Sequence, residues 1–312
     1  MARSSAILLM GPTGSGKTDL AATLVAQFPL EIVSVDAAMV YRGMDIGTAK
    51  PSRELQARAP HRLIDLIDPA ESYSAARFIA DADAAMNEIA AASRAPLLVG
   101  GTMLYFRALQ SGLARLPPAD PAIRRRLEAR AAAEGWPVLH AELARLDPAS
   151  AARIRPTDRQ RIQRALEVIE RSGHPLSSLL AEDLRGGTHD GDLKLVIAPS
   201  DRAVLFERIE QRFDDMMRGG LLEEVRGLHG RGDLNAELPA MRLIGYRQLW
   251  NHLDGGCSPE AAVHKAVAAT RQLARRQLTW LRAEPGADWF DSLDPATPER
   301  IARRVAEWLR KR

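Results

Sequence analysis

The sequence predicts an α/β protein: a doubly wound parallel sheet, interrupted by an inserted all-helical domain and completed by a helical C-terminal region. Three observations carry this. Over roughly the first hundred residues, short apolar runs alternate with helix-patterned segments, as a parallel sheet requires. The alternation stops at Leu116-Pro117-Pro118, and only helical signals follow from Asp120 to about Leu184. An apolar strand pattern then returns at Leu193–Ala198, so the sheet resumes after the insertion.

Residues 6–10 form a short apolar run ending in a glycine loop, the mark of a strand buried on both faces. Residues 18–27 read as a helix stopped by Pro29. Residues 31–36 read as a second strand, and 61–67 as a third between Pro60 and Pro69. Residues 74–93 are an Ala-rich helix, and 95–101 a strand running into glycines. In the helical block, Ile162, Ala165, Leu166 and Ile169 keep helical spacing, with Thr157 as N-cap and Gly173 and Pro175 as the stop. Gly186-Gly187-Thr188 reads as a loop. Beyond Asp201 the pattern is helical to the end. The expected division is a core of 1–116 with 193–312, and an insertion of 117–192.

Hydrophobic residues make up 46% of the 312 and charged residues 27%, so a globular core needs no covalent staples. The single Cys257 rules out an intrachain disulfide and suits a reducing cytoplasm. No signal-peptide pattern opens the chain, and no apolar run reaches the roughly 20 residues that span a bilayer. The expectation is a cytoplasmic monomer with no membrane contact. Of 43 basic residues, all but Lys17, Lys50, Lys194, Lys265 and Lys311 are arginines, the side chain best suited to gripping phosphates.

Gly11-Pro12-Thr13-Gly14-Ser15-Gly16-Lys17-Thr18 fits the phosphate-loop pattern at every position, between a strand and a helix. The core is therefore a P-loop core. Its glycines let backbone N–H groups converge on phosphate oxygens, Lys17 adds a mobile charge, and the Thr18 hydroxyl can ligate Mg²⁺. The loop specifies the anion, not the reaction. ATP or another nucleotide is the default occupant, and a diphosphate ester fits the same geometry. Asp36 ends the second strand at the edge where ligands bind. It can serve as a Mg²⁺ ligand, as a general base, or simply as a cap for the following turn.

The run from Asp36 through Gly43-Met44-Asp45-Ile46-Gly47-Thr48-Ala49-Lys50 resembles the tRNA dimethylallyltransferase (tRNA isopentenyltransferase) family. Further blocks continue the resemblance: His61-Arg62-Leu63-Ile64-Asp65, Gly100-Gly101-Thr102-Met103-Leu104-Tyr105, Arg161 to Val168, Ile244 to Gln248, and Ala269 to Gln277. The chain departs from the family at Gly14, where alanine is usual, and at Ala37, where serine is usual.

The resemblance implies transfer of a dimethylallyl group from dimethylallyl diphosphate to N6 of the adenine 3′ of the anticodon. It implies Asp36 as base, with Lys17, Mg²⁺ and the Thr102 hydroxyl stabilising the departing diphosphate. A helix N-cap is the competing role for Thr102. It also implies a tRNA anticodon stem-loop gripped by Ala37, Ala38, Met39 and Arg124. The same grip includes Gln160, Arg161, Ile162, Gln163 and Arg164, then Arg242, Gly245, Tyr246 and Arg247. At about 100° per residue, Arg271, Arg275 and Arg282 form a basic strip beside the apolar seam of the helix near 259–282. Three rivals stand beside this reading: an ATP-dependent small-molecule kinase, a prenyltransferase of free adenine nucleotides, and a non-catalytic RNA-binding protein.

Overall fold

The computed structural model describes residues 5–114, 116–182 and 191–312. The loop expected at Gly186-Gly187-Thr188 lies outside them. Six strands form one sheet: β1 (Ile7–Met10), β2 (Leu30–Val35), β3 (His61–Arg62), β4 (Ala95–Gly100), β5 (Leu193–Ala198) and β6 (Asp288–Asp291). Every pairing is parallel, in the order β3-β2-β4-β1-β5-β6. β1, β2 and β4 are buried at every position, which is why their sequences are continuous apolar runs. Chain order reverses about β1, whose neighbours β4 and β5 lie on opposite sides. The loops after β1, β2 and β4 leave one edge, because Met10 and Val35 both sit opposite Gly100. That switch point is where α/β sheets bind ligands.

The helices are α1 (Lys17–Gln27), α2 (Arg53–Arg58), α3 (Ala75–Ala91), α4 (Met103–Ser111), α5 (Pro121–Glu134), α6 (Trp136–Leu146) and α7 (Pro148–Arg153). They continue with α8 (Arg159–Ser172), α9 (Leu176–Glu182), α10 (Arg202–Arg218), α11 (Leu221–His229), α12 (Tyr246–Leu253), α13 (Pro259–Arg282) and α14 (Thr297–Lys311). Ser74 caps α3 through the Arg77 N–H. Asp158, rather than Thr157, caps α8, its carboxylate accepting from the Arg161 N–H. Gly173, at φ 71°, ends that helix as its spacing suggested.

Two expectations change. The strand expected over 61–67 shrinks to β3 and a single bridge between Tyr41 and Ile67. Leu63 and Asp65 take φ of 62° and 54°, which breaks the pleat. The C-terminal region is not wholly helical, since β6 adds an edge strand beside β5. Its Asp-Trp-Phe-Asp sequence buries only Phe290, too short a signal to read.

The chain divides into two compact units, 1–108 with 189–312, and 109–188. In the first, one sheet face packs on α1 and α14 through Leu20, Leu24, Ile301 and Val305. A second cluster joins the segment after β2 to α10–α13 through Tyr41, Met44, Leu221, Tyr246 and Val267. In the second unit, Leu127, Leu139, Leu143, Ile162 and Leu166 form a helical core. Among the described residues, no helix is long and apolar enough to cross a membrane.

Candidate active site

The loop after β1 is shaped by backbone constraints. A Cβ on Gly11 would lie 2.5 Å from the Ile197 carbonyl oxygen, so no side chain fits there. Gly14 and Gly16 have φ of 80° and 84°. Gly16 is the N-cap of α1 and supplies no side-chain acceptor, leaving the first-turn N–H groups for an anion. The Ser15 hydroxyl is buried without a partner among the described residues. Such an orphan suits a phosphate oxygen. Lys17 folds back on the loop, its Nζ donating to the Pro12 carbonyl at 3.2 Å.

Burial first, and the neighbouring Arg212 guanidinium second, push the Lys17 ammonium down to about 8, with Asp36 opposing both. Arg212 is itself lowered by burial, again opposed by Asp36. Two cations and one carboxylate therefore share a small space, an arrangement with room for negative charge. Arg212 carried no motif in the sequence. Helical periodicity places it three residues after buried Ile209 and seven after buried Leu205, at the margin of the α10 seam. That seam lies against the phosphate loop: a Cβ on Gly14 would sit 3.3 Å from Leu205 and 3.5 Å from Ile209.

Asp36 follows β2. Its Oδ1 accepts the Ala38 N–H at 2.8 Å, while Oδ2 has no hydrogen bond among the described residues. One oxygen fixes the carboxylate as a turn cap, and the other stays available. Thr102 follows β4, and its Oγ1 accepts the Ala37 N–H at 3.1 Å. The hydroxyl thus ties Ala37 to the start of α4 and keeps its proton to donate elsewhere. The bond uses only the Ala37 backbone, so the missing serine hydroxyl leaves it intact. Ala38 and Met39 are half-buried beside Asp36.

The string from Gly43 to Lys50 is architecture. Glu224 of α11 accepts the N–H groups of Asp45, Ile46 and Gly47 at 2.8, 2.8 and 3.1 Å, and the Tyr246 hydroxyl at 2.6 Å. Lys50 is buried and donates to the Asp45 and Asp65 carboxylates and to the Tyr41 carbonyl. Tyr105 of the Gly-Gly-Thr string likewise packs inward, stacked on Phe78 with centroids 4.3 Å apart. Neither Glu224 nor its role was legible in the sequence.

The expected RNA-contacting positions fall into distinct environments. Arg275 is exposed and lies over the Phe206 ring at 4.9 Å, and Arg247 and Arg282 are exposed; none of these three has an ion pair among the described residues. Arg271 is paired with Glu210 at 2.7 Å, and Arg242 with Glu237 at 2.5 Å. In the helical unit, Gln160 and Arg161 are exposed. Arg124 and Arg164 instead converge on buried Glu167, and Gln163 bonds to the Arg124 carbonyl and to Glu128. Burial alone would raise the Glu167 carboxyl, but the hydrogen bonds from Arg124 and Arg164 win and lower it. Ile162 is a core residue of the helical unit. In the first unit, Tyr246 is fully buried with its hydroxyl on Glu224, and Gly245, at φ 93°, is buried beside it.

Fold and site together define an α/β phosphate-loop protein with a carboxylate held opposite its anion cradle. The profile of the IPP transferase family matches residues 39–284, and the chain belongs to that family. It is 57% identical to a tRNA dimethylallyltransferase of Bordetella petrii, over 97% of each chain. It is 59% identical to one of Thioalkalivibrio sulfidiphilus, over 93% of this chain and 92% of that one. A crystal structure of the tRNA isopentenylpyrophosphate transferase of Bacillus halodurans superposes with TM-score 0.73 at 34% identity. It covers 98% of this chain and 97% of its own.

Proposed function

We propose that the protein transfers a dimethylallyl group from dimethylallyl diphosphate to N6 of the adenine 3′ of the anticodon in tRNA, acting in the cytoplasm as a monomer. The observation that carries this is the Asp36 carboxylate beside Lys17 and Arg212, with one oxygen held by Ala38 and the other unengaged. A small-molecule kinase would leave the exposed Arg275 and Arg282 of α13 without a role, whereas a tRNA backbone gives them one.

The diphosphate sits on the N–H groups of Gly14 and of Gly16 to Thr18, with the Ser15 hydroxyl, Lys17 and Arg212 against its oxygens. The adenine leaves its stack to reach Asp36, a displacement that a single-stranded loop permits at low cost. Oδ2 of Asp36 accepts a hydrogen bond from N6–H and turns the amine toward C1 of the prenyl group. The C1–O bond breaks, its electron pair stays on the diphosphate, and N6 bonds to C1. The N6 proton passes to Asp36. Lys17, Arg212 and the Thr102 hydroxyl stabilise the charge growing on the departing oxygen.

Mg²⁺ fits this site as a metal held mainly by diphosphate oxygens. Among the described residues no cluster of three acidic, His or Cys side chains could hold it, and the Thr18 hydroxyl is the protein ligand available at the loop. When bound, it supplies charge neutralisation of the leaving group. Arg275, Arg247 and Arg282 serve the tRNA backbone from the first unit, and Gln160 and Arg161 from the helical unit.

The test offers the protein Mg²⁺ and labelled dimethylallyl diphosphate with unmodified tRNA, with AMP, or with ATP and small acceptors. Label should pass to tRNA alone. Asp36→Asn should lower the transfer rate at least about 100-fold while tRNA affinity stays within about twofold. Affinity that fell in step with rate would remove Asp36 as the base.

A further inference from the structure

Gln277, on α13, is buried to 9% exposure and uses both ends of its amide. Its Oε1 accepts the Thr13 N–H in the phosphate loop at 3.0 Å. Its Nε2 donates to the Gly101 carbonyl at 2.8 Å. A Cβ on Gly101 would fall 2.4 Å from that Nε2, so the amide occupies the room left by the missing side chain. The residue after Gly101 is Thr102, whose hydroxyl holds the Ala37 N–H next to Asp36. A continuous series of directional bonds therefore runs from the anion cradle, through one side chain, to the turn that holds the base.

The sheet cannot fix that spacing unaided. Its register ties Met10 to Gly100 and Val35 to Gly100, but the reacting groups lie beyond the strand ends, in loops. Beyond that edge, Gly11 N–H reaches the Gly100 carbonyl and Thr102 N–H the Val35 carbonyl, both at a long 3.3 Å. Thr13 is further from the sheet than either. The Gln277 amide spans this part of the cleft, and it needs an acceptor and a donor at once, which glutamine offers and glutamate does not.

We propose that Gln277 is a positioning residue for the transfer reaction: it sets the gap between the diphosphate cradle and the Asp36–Thr102 pair across which the prenyl carbon passes to the amine. The inference rests on the reaction proposed above. Gln277 touches neither substrate; it acts through Thr13 and Gly101. Group transfer across a fixed gap is steep in distance, and a misplacement of about 1 Å costs on the order of 100-fold.

The experiment compares the full-length wild type with Gln277→Met and Gln277→Glu for kcat, KM for each substrate, tRNA affinity and melting temperature. Gln277→Met removes both bonds at similar volume. It should lower kcat/KM for dimethylallyl diphosphate by about 30- to 100-fold, mostly in kcat, with tRNA affinity within about twofold. Gln277→Glu keeps the shape and the Thr13 bond but sets a carboxylate oxygen against the Gly101 carbonyl, so it should lower kcat at least as far. If Gln277→Met does not fold, the isosteric Gln277→Glu still has to show reduced kcat. Variants that melt earlier but keep wild-type kcat and KM would overturn the proposal, as would loss of tRNA affinity in step with activity. A wild type that moves no label to tRNA would sink the reaction itself, whereas an active wild type matched by both variants would sink this inference alone.

Discussion

Raising pH from 7 to 9 should weaken diphosphate binding by about tenfold through one proton on Lys17. Burial and Arg212 hold that ammonium at about 8, against its ordinary 10.5. If only the charged form grips the anion, the competent fraction falls from about nine-tenths at pH 7 to about one-tenth at pH 9. The sign follows from the lowered value: the proton leaves as pH climbs through 8, and a ligand that needs it loses affinity. Conversely, binding above pH 8 draws a proton from buffer. Calorimetry with inorganic diphosphate and Mg²⁺, in buffers of different ionisation enthalpy, reads both effects. The ligand's own ionisation cancels in the ratio of wild type to Lys17→Met, which should carry the whole tenfold. A ratio that stays constant from pH 7 to 9 would refute the reasoning. The same shift bears on folding: the buried charge costs stability below pH 8, and that cost is relieved between 8 and 10.5, where the unfolded chain alone holds the proton.

Arg212→Met should weaken diphosphate binding at every pH and move the Lys17 titration upward, because a charge that depresses it is gone; the same calorimetric series checks this, and an unmoved titration would place Arg212 elsewhere. Glu224→Ala strands three backbone N–H groups and the Tyr246 hydroxyl, and should cost about 2–4 kcal/mol of unfolding free energy in denaturant titrations. Arg275→Ala should reduce the slope of log affinity for tRNA against log salt by about one. Arg271→Ala should change that slope less, since its charge is already matched by Glu210.

The core strands were legible because burial on both faces removes alternation, so β1, β2 and β4 stand out as apolar runs. Edge elements were not. β3 is cut short by left-handed Leu63 and Asp65, and β6 shows a pattern of four residues. The phosphate loop was legible because its chemistry is local: consecutive backbone donors, one lysine and one threonine. Asp36 was visible as a residue at a strand end, but its environment was not. Its two cationic neighbours come from different segments, and only Lys17 lies in a motif.

The strings that point most specifically to the family are largely not the reacting groups. Lys50 is consumed by Asp45, Asp65 and the Tyr41 carbonyl; Tyr105 is stacked in the core; Tyr246 is buried on Glu224. A loop of polar backbone next to a binding cleft has many donors to satisfy, and only particular side chains at particular places can satisfy them. The loop from Gly43 to Lys50 is therefore constrained by its own geometry as strongly as a catalytic group is by chemistry. Arg212, by contrast, needs only a cation at one point on a helix whose placement comes from β5 lying beside β1. Arg212 stands outside every string and answers to a constraint that acts across the sheet; Gln277 closes the Ala269–Gln277 string, but its role too comes from contacts made across the sheet. Residues of that kind are where substitution should change rate more than stability.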